Sequence, residues 1–239
     1  MRASTIRTKL LAWWAVAGLA GGCGLIKSDI ATLVFQLPSK SFSFDTASSG
    51  WKAPPGNFPM VACGAGQAVT DCCNPPAPAP KPDCIATPLA CVNGACVLEF
   101  PVTVNQRIDL KSEVPALSSL GGQTLAEVSI RQIQYTIASN MNVELPAIEI
   151  FVAPDGATTT ADPAKKFGTI PPTPAGATRS GDVVLDPAGQ AAFSMYASQF
   201  TTPFMLIAHT TMVVAPGAPA PTGKVDVTVT GKIGAKPTL

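Results

Sequence analysis

Two runs near the end of the chain decide the fold, PFMLIAHTTMVV at residues 203–214 and KVDVTVTGKI at residues 224–233. The first run is apolar on both faces, which is typical of a central strand. The second alternates apolar with polar residues, so it predicts a half-buried antiparallel strand with Val225, Val227, Val229 and Ile233 turned inward. The intervening APGAPAPT at residues 215–222 reverses the chain, and we expect the two strands to pair across it.

The preceding part of the chain continues this β pattern. Strands are predicted over 97–104 and 107–110, the second extending the ladder of the first. Residues 127–152 predict a hairpin that turns at residues 139–142. Its apolar alternation slips by an odd count between residues 130 and 133, which indicates a β-bulge.

Residues 153–182 predict a long loop with one short strand, Phe167 to Ile170. Such loops are either functional or mobile. Asp186 followed by Pro187 then indicates an N-cap with proline at the first helical position, so one short helix is expected there.

The first strands are expected at residues 30–37 and 41–44, the latter a separate strand or a continuation after a kink at Pro38. Residues 46–62 are turn-rich and are expected to run over the surface. Many short strands, no repeat and little helical periodicity predict an all-β, antiparallel β-sandwich. It resembles the immunoglobulin-like sandwiches in general style, a likeness that implies no activity.

Six cysteines fall between residues 63 and 96, a segment that we call the cysteine knuckle: Cys63, Cys72, Cys73, Cys84, Cys91 and Cys96. The segment has few large apolar side chains and a proline run at 75–82, so it cannot form a core and predicts disulfide cross-links. A Cys91–Cys96 bridge across the Asn93-Gly94 turn is attractive, but the sequence selects no full pairing. Metal binding is the alternative. The spacings and the distant histidine argue against it, and no metal or cofactor is predicted.

The first 23 residues predict export. Arg2, Arg7 and Lys9 precede an apolar run, LLAWWAVAGLA at residues 10–20, that is too short to span a bilayer but suits a signal peptide. The following Leu19-Ala20-Gly21-Gly22-Cys23 resembles the lipobox of bacterial lipoproteins. That resemblance implies cleavage before Cys23 and its acylation, and Gly24, which is not Asp, implies sorting to the outer membrane, on its periplasmic face or at the cell surface.

Cysteine parity supports acylation over an ordinary secretory signal. The chain has 7 cysteines, so a lipid on Cys23 leaves an even number for disulfides, whereas an unmodified Cys23 leaves one orphan thiol in an oxidising compartment. We therefore divide the chain into a lipoprotein signal peptide (1–22), a lipid tether with the first strands (23–62), the cysteine knuckle (63–96) and the main β-sandwich (97–239).

The sequence carries little catalytic chemistry. The formal net charge is +1 and only 13% of residues are charged, so the charge gives no indication of nucleic-acid binding. His209, the only histidine, lies mid-strand without a nucleophile motif. A pair of glutamates, Glu144 and Glu149, could serve glycoside chemistry, but exposed strand charges explain them more simply. Lys165-Lys166 is too small for a binding patch.

The leading hypothesis is a non-enzymatic binding or structural lipoprotein of the bacterial envelope. Its lipid would hold it to the membrane, and an envelope protein or glycan is the expected partner. Loop 153–182 and the cysteine knuckle would carry the contacts. Two other classes remain open. One is an exported hydrolase using carboxylates or a metal, with candidates Asp155, Asp162, Asp182 and Glu149; the other is a subunit of a secretion or surface assembly.

Overall fold

Two antiparallel sheets form the protein, seen in a computed structural model that describes residues 32–48, 57–58, 60–63, 72, 89–118 and 124–237. The strands are β1 (Leu33–Asp45), β2 (Leu89–Val92), β3 (Ala95–Ile108), β4 (Leu125–Ser139), β5 (Ile148–Pro154), β6 (Lys165–Ile170), β7 (Thr178–Asp182), β8 (Val184–Leu185), β9 (Phe204–Val214) and β10 (Lys224–Pro237). The helices described are α1 (Leu110–Glu113), α2 (Pro115–Ser118) and α3 (Pro187–Ser198). The predicted all-β antiparallel sandwich is confirmed.

One sheet has the strand order β1-β10-β4-β7 and the other β2-β3-β9-β5-β6-β8. The main buried apolar cluster takes side chains from both sheets, for example Phe42 and Val227 from the first and Phe100 and Phe204 from the second. A smaller cluster of Ala153, Ala164 and Ile207 is separate from it. Alternate residues of the longer strands enter the main cluster, so the interior is the layer between the sheets.

The expected pairing of β9 with β10 is wrong. Strand β9 lies between β3 and β5, and β10 lies between β1 and β4 in the other sheet. Each strand is central, as the apolar patterns indicate, and Val225, Val227, Val229 and Ile233 of β10 are buried as predicted. The connection at 215–222 crosses from one sheet to the other, because alternation fixes which side chains face inward but not which neighbour completes the ladder.

The predicted 127–152 hairpin is also wrong, because β4 and β5 belong to different sheets. Met141 and Leu145 of the connection are buried, so this segment packs on the core and does not form an exposed turn. The predicted bulge in β4 is confirmed. Gln132 pairs with Lys232 and Ile130 with Ile233, which leaves Arg131 as the extra residue.

Three other local predictions hold. Strand β1 continues through Pro38 with a register shift between Leu37 and Lys40. Strand β3 runs unbroken from Ala95 to Ile108. The predicted helix is α3, and the carboxylate of Asp186 accepts hydrogen bonds from the backbone N–H groups of Ala188 and Gly189.

The long loop 153–182 is shorter than expected. It contains β6, whose position was predicted, and also β7, which pairs with β4 through polar residues and has no apolar alternation. Helices α1 and α2 were likewise missed in the connection after β3. The carboxylate of Asp109 accepts a hydrogen bond from the N–H of Ser112 and so caps α1.

Residues 1–22, Cys23, Cys73 and Cys84 lie outside the described residues, so the signal peptide, the lipidation site and these two disulfide cysteines stay predictions. The division of the chain at residues 23, 63 and 97 also stays a prediction. Among the residues that the structure describes, no helix combines the length and hydropathy needed to cross a membrane.

Candidate functional site

Four cysteines of the cysteine knuckle form two disulfide bonds in the described part of the chain. Cys63 is bonded to Cys91 with Cα atoms 6.1 Å apart, and Cys72 to Cys96 with Cα atoms 5.5 Å apart. The predicted Cys91–Cys96 bridge is therefore wrong, although these two residues are direct partners in the β2–β3 hairpin. Both bonds instead connect the hairpin to earlier parts of the chain.

A short segment at residues 61–63 explains this pairing. The N–H of Cys63 donates to the carbonyl of Gly94 over 3.0 Å, and the N–H of Cys96 donates to the carbonyl of Val61 over 2.9 Å. These bonds place the segment along β3 beside the hairpin tip, within reach of Cys91. No local sequence signal predicts this contact, because the hydrogen bonds are between backbone groups about thirty residues apart.

The hairpin tip has the geometry that its sequence predicts. Asn93 has φ of 53° and Gly94 has φ of 77°, the two positive values that a two-residue turn between strands requires. The tip therefore forms from local sequence alone, whereas the disulfide partners of its two cysteines are set by distant residues.

Three sulfur atoms of the knuckle, those of Cys63, Cys72 and Cys96, are buried and lie within 4.8 Å of one another. Free thiolates in such a group could bind a soft cation. Here all three sulfurs are in disulfide bonds, so the arrangement serves to cross-link the chain. The close approach shows that the two disulfides are packed against each other as one unit.

The segment before the first knuckle cysteine is not the surface loop that its turn-rich sequence predicts. Phe58 and Val61 are buried and belong to the main core. The N–H of Phe58 donates to the carbonyl of Ala218 over 2.8 Å, and the N–H of Gly217 donates to the carbonyl of Phe58 over 2.7 Å. These contacts join the residues just before the knuckle to the loop 215–222 at one end of the sandwich.

The acidic candidates for hydrolysis do not converge. Each of the four acids proposed for hydrolysis has a separate partner. Asp155 pairs with Arg107, Asp162 with Lys165 and Glu149 with Lys166, and Asp182 accepts a hydrogen bond from Gln132. Glu144 is exposed. The hydrogen bonds from Arg107 lower the pKa of Asp155 below its usual range, which is the opposite of what a general acid needs. Lys165 and Lys166, the pair too small for a binding patch, are thus partners of acids.

His209 lies on the face of the larger sheet that points away from the core. Its Nδ1 is 2.9 Å from the hydroxyl oxygen of Thr103 on β3, and Glu149 is its register partner on β5. The three side chains form a row across three adjacent strands. The hydroxyl of a threonine and the imidazole form one hydrogen bond, but Glu149 is paired with Lys166 and completes no relay with them.

A small cavity lies between the two sheets. It has a volume of about 40 Å³ and an apolar lining that includes Phe42, Val102, Leu145, Ile148 and Val227. None of the four acids proposed for hydrolysis lines it, within the described residues. A cavity of this size has room for a few water molecules and none for a substrate.

Sequence reasoning missed Phe58 and Val61, which lie just before the knuckle and pack in the main core. The only signal was that two large apolar residues stand in an otherwise turn-rich stretch. It also missed the ion pair of Lys40 and Glu113, whose carboxylate oxygens lie 2.8 and 2.7 Å from the lysine Nζ. That pair connects β1 to α1, two elements 73 residues apart.

No protein family model matches the chain, and no curated protein matches it. Solved structures give only distant similarity. One of Desmodium yellow mottle tymovirus is 11% identical over 98% of each chain with a TM-score of 0.26. One of mud crab tombus-like virus is 9% identical over 99% of this chain and 96% of that chain with a TM-score of 0.28. A particle of the giant freshwater prawn (Macrobrachium rosenbergii) nodavirus is 9% identical over 97% of this chain and 96% of that chain with a TM-score of 0.30. Similarity this low supports no conclusion about function.

Proposed function

We propose that this chain is a lipid-anchored protein of the bacterial outer membrane with a non-enzymatic binding or structural role. The observation that carries the proposal is the disulfide pairing. Two bonds use four of the 7 cysteines. If Cys73 and Cys84 form the third bond, the cysteine left over is Cys23, the one in the lipobox-like sequence.

Two disulfides also support export, because such bonds persist in oxidising compartments. The separate pairing of the acids supports a binding or structural role over hydrolysis, since a carboxylate mechanism needs two such groups on one substrate site. The contacts with a partner would be made by the cysteine knuckle and by the loop 215–222, which is hydrogen-bonded to Phe58 just before the knuckle.

Acylation is tested by growing bacteria that express the full chain with a labelled fatty acid. We expect label on the wild-type protein in the outer-membrane fraction, and a mature mass that begins at Cys23 with its lipid. The Cys23→Ser variant should lose the label and leave that fraction. The matched variant Cys84→Ser also removes one cysteine but should keep both properties. An unlabelled wild-type protein would contradict the proposal.

The binding role is tested by cross-linking in intact cells and isolation from detergent-solubilised envelope. We expect one protein or glycan partner to be linked through residues of the cysteine knuckle, of the segment just before it that contains Met60, or of the loop 215–222. Substituting the exposed Met60, 84% accessible, by Glu should reduce that cross-link, whereas Val184→Glu on the far strand β8 should not. Recovery of the chain without any stable partner would count against binding and leave the structural role.

A further inference from the structure

In the sequence, strand β1 follows soon after the proposed lipidation site. Leu33, the first residue of β1, lies ten positions after Cys23 in the sequence. A chain of this length spans about 35 Å when fully extended and about 17 Å on average when flexible. If Cys23 is acylated, the start of β1 is therefore the part of the sandwich that connectivity holds nearest to the bilayer.

The start of β1 lies at one end of the smaller sheet, which we call the tether end. In the register of that sheet Leu33 pairs with Ala235 and Val34 with Gly234, and β4 begins beside Pro237. Leu33 is 37% exposed and Val34 63% exposed. These are two of the few large apolar side chains that the described part of the chain leaves accessible, and they are adjacent in sequence.

Cationic side chains lie near Val34, on its face of the sheet. Gly234 is the register partner of Val34. A Cβ atom at Gly234 would be 2.9 Å from Nε of Arg131, so the missing side chain leaves room for the guanidinium group at this position. Lys236 follows two residues later and forms an ion pair with Glu127. Apolar side chains with a cation alongside suit the boundary between acyl chains and phosphate headgroups.

The cysteine knuckle lies at the other end of the same strands. At that end Asp45 of β1 pairs with Lys224 of β10, and the loop before Lys224 is hydrogen-bonded to Phe58. Strand β10 has 14 residues, so the two ends are about 45 Å apart. Val92, 41% exposed at the hairpin tip, therefore cannot share a membrane contact with Val34 when the strands stand upright.

We infer that the tether end, with Leu33, Val34 and Arg131, rests on the bilayer and that the cysteine knuckle points away from it. This inference depends on the proposed acylation of Cys23 and gives the anchored protein an orientation. The partner of the tether end is a lipid surface with anionic headgroups. The knuckle is then the part presented to a partner in the surrounding space.

Tryptophan fluorescence tests the orientation. Because Trp13 and Trp14 lie in the signal peptide, Trp51 is the only other tryptophan, and Trp51→Phe gives a dark background. Into it we place either Val34→Trp or, as the matched control, Val92→Trp. Each lipidated protein is reconstituted in vesicles of phosphatidylethanolamine and phosphatidylglycerol whose acyl chains carry bromine. We expect bromine to quench tryptophan at position 34 several-fold more strongly than at position 92.

Equal quenching at both positions, or stronger quenching at position 92, overturns the orientation. Absence of quenching at position 34 also overturns it. The mass of the same protein samples shows whether Cys23 carries its lipid. An acylated protein without quenching refutes the orientation alone, whereas an unacylated protein refutes both the orientation and the proposed function. Adding Arg131→Glu should weaken quenching at position 34 when phosphatidylglycerol is present and have less effect in its absence. Identical effects in the two vesicles would refute the role of the anionic headgroup.

Discussion

The sandwich core and the cysteine knuckle hold their structure in different ways. In the core, alternate apolar residues of both sheets form one buried cluster, and each fully buried Leu, Ile or Phe contributes about 1.5–3 kcal/mol. In the knuckle, disulfides connect residues separated by 28 and 24 positions. A cross-link stabilises mainly by reducing the entropy of the unfolded chain. A segment with few large side chains can therefore become ordered without a core of its own.

The two regions also meet. Phe58 and Val61 are part of the main cluster, and Cys96 is fully buried at the start of β3. The knuckle is thus fixed to the sandwich by β2 and the start of β3, which belong to the larger sheet, and by a few apolar contacts, and it is fixed internally by covalent bonds. This division predicts that damage to the core unfolds both regions, whereas loss of a disulfide loosens the knuckle and leaves the sheets.

The largest effect should come from Phe204→Ala. Phe204 is fully buried at the start of β9, its ring stacks with Tyr196 at 5.7 Å and packs edge-on against Phe193 at 5.6 Å. We expect the free energy of unfolding to fall by about 3–5 kcal/mol, measured from the urea midpoint by far-UV circular dichroism. Met195→Ala on the exposed face of α3 is the control and should change it by about 0.5 kcal/mol at most. Similar midpoints for the two variants would contradict the core described here.

Removal of the Cys72–Cys96 bond should have the next largest effect. We expect the double variant Cys72→Ala, Cys96→Ala to lose about 2–4 kcal/mol of stability while its far-UV spectrum at low urea stays that of the wild type. The knuckle itself should become sensitive to protease before the sheets do. Removing Cys63–Cys91 with the same substitutions is the comparison, and it should cost less because Cys91 is only partly buried. Collapse of the sheet spectrum in either variant would refute the division into two regions.

The smallest effect should come from a surface ion pair outside both regions. Arg107 donates two hydrogen bonds to Asp155, at 2.9 and 3.1 Å, and these hold the pKa of Asp155 below its usual 3.8. A depressed folded-state pKa adds stability above the unfolded pKa, and this stability is lost as the pH falls through the folded value. Asp155→Asn should therefore lower the melting temperature slightly at neutral pH and match the wild type in strong acid.

The control for this pH dependence is Asp162→Asn, which removes a more exposed carboxylate from the same loop. Its effect on the melting temperature at neutral pH should be smaller than that of Asp155→Asn, because exposed pairs between neighbouring residues add little. A difference between Asp155→Asn and the wild type that persists in strong acid would show that the charge of Asp155 is not the cause.

Local features were predictable because their causes are local. The bulge at Arg131 follows from an odd count between apolar residues, and the cap of α3 follows from Asp186 before a proline. The burial of Val225, Val227 and Val229 follows from alternation. At the candidate site, the Asn93-Gly94 turn was predictable for the same reason.

Pairing between distant segments was not predictable. The sequence favoured Cys91–Cys96, but the backbone bonds of Cys63 and Cys96 to residues far along the chain select other partners. Strand β7 was missed because its side chains are polar and mostly exposed, and its order comes from the ladder to β4. Neither the disulfide pairing nor the β4–β7 ladder can be recognised from the types of residue that form it.

By itself, the sequence determined that this chain forms β-strands, which faces of them are buried, and that its cysteine-rich segment needs cross-links. Those properties depend on the period of two along a strand and on the side chains of neighbouring residues. Only the tertiary structure decided that β9 and β10 belong to opposite sheets, that β4 and β5 do not form a hairpin, and which cysteines bond. These choices depend on which distant backbone and sulfur atoms meet, because hydrogen-bond ladders and disulfides are satisfied equally well by several partners until the whole chain packs.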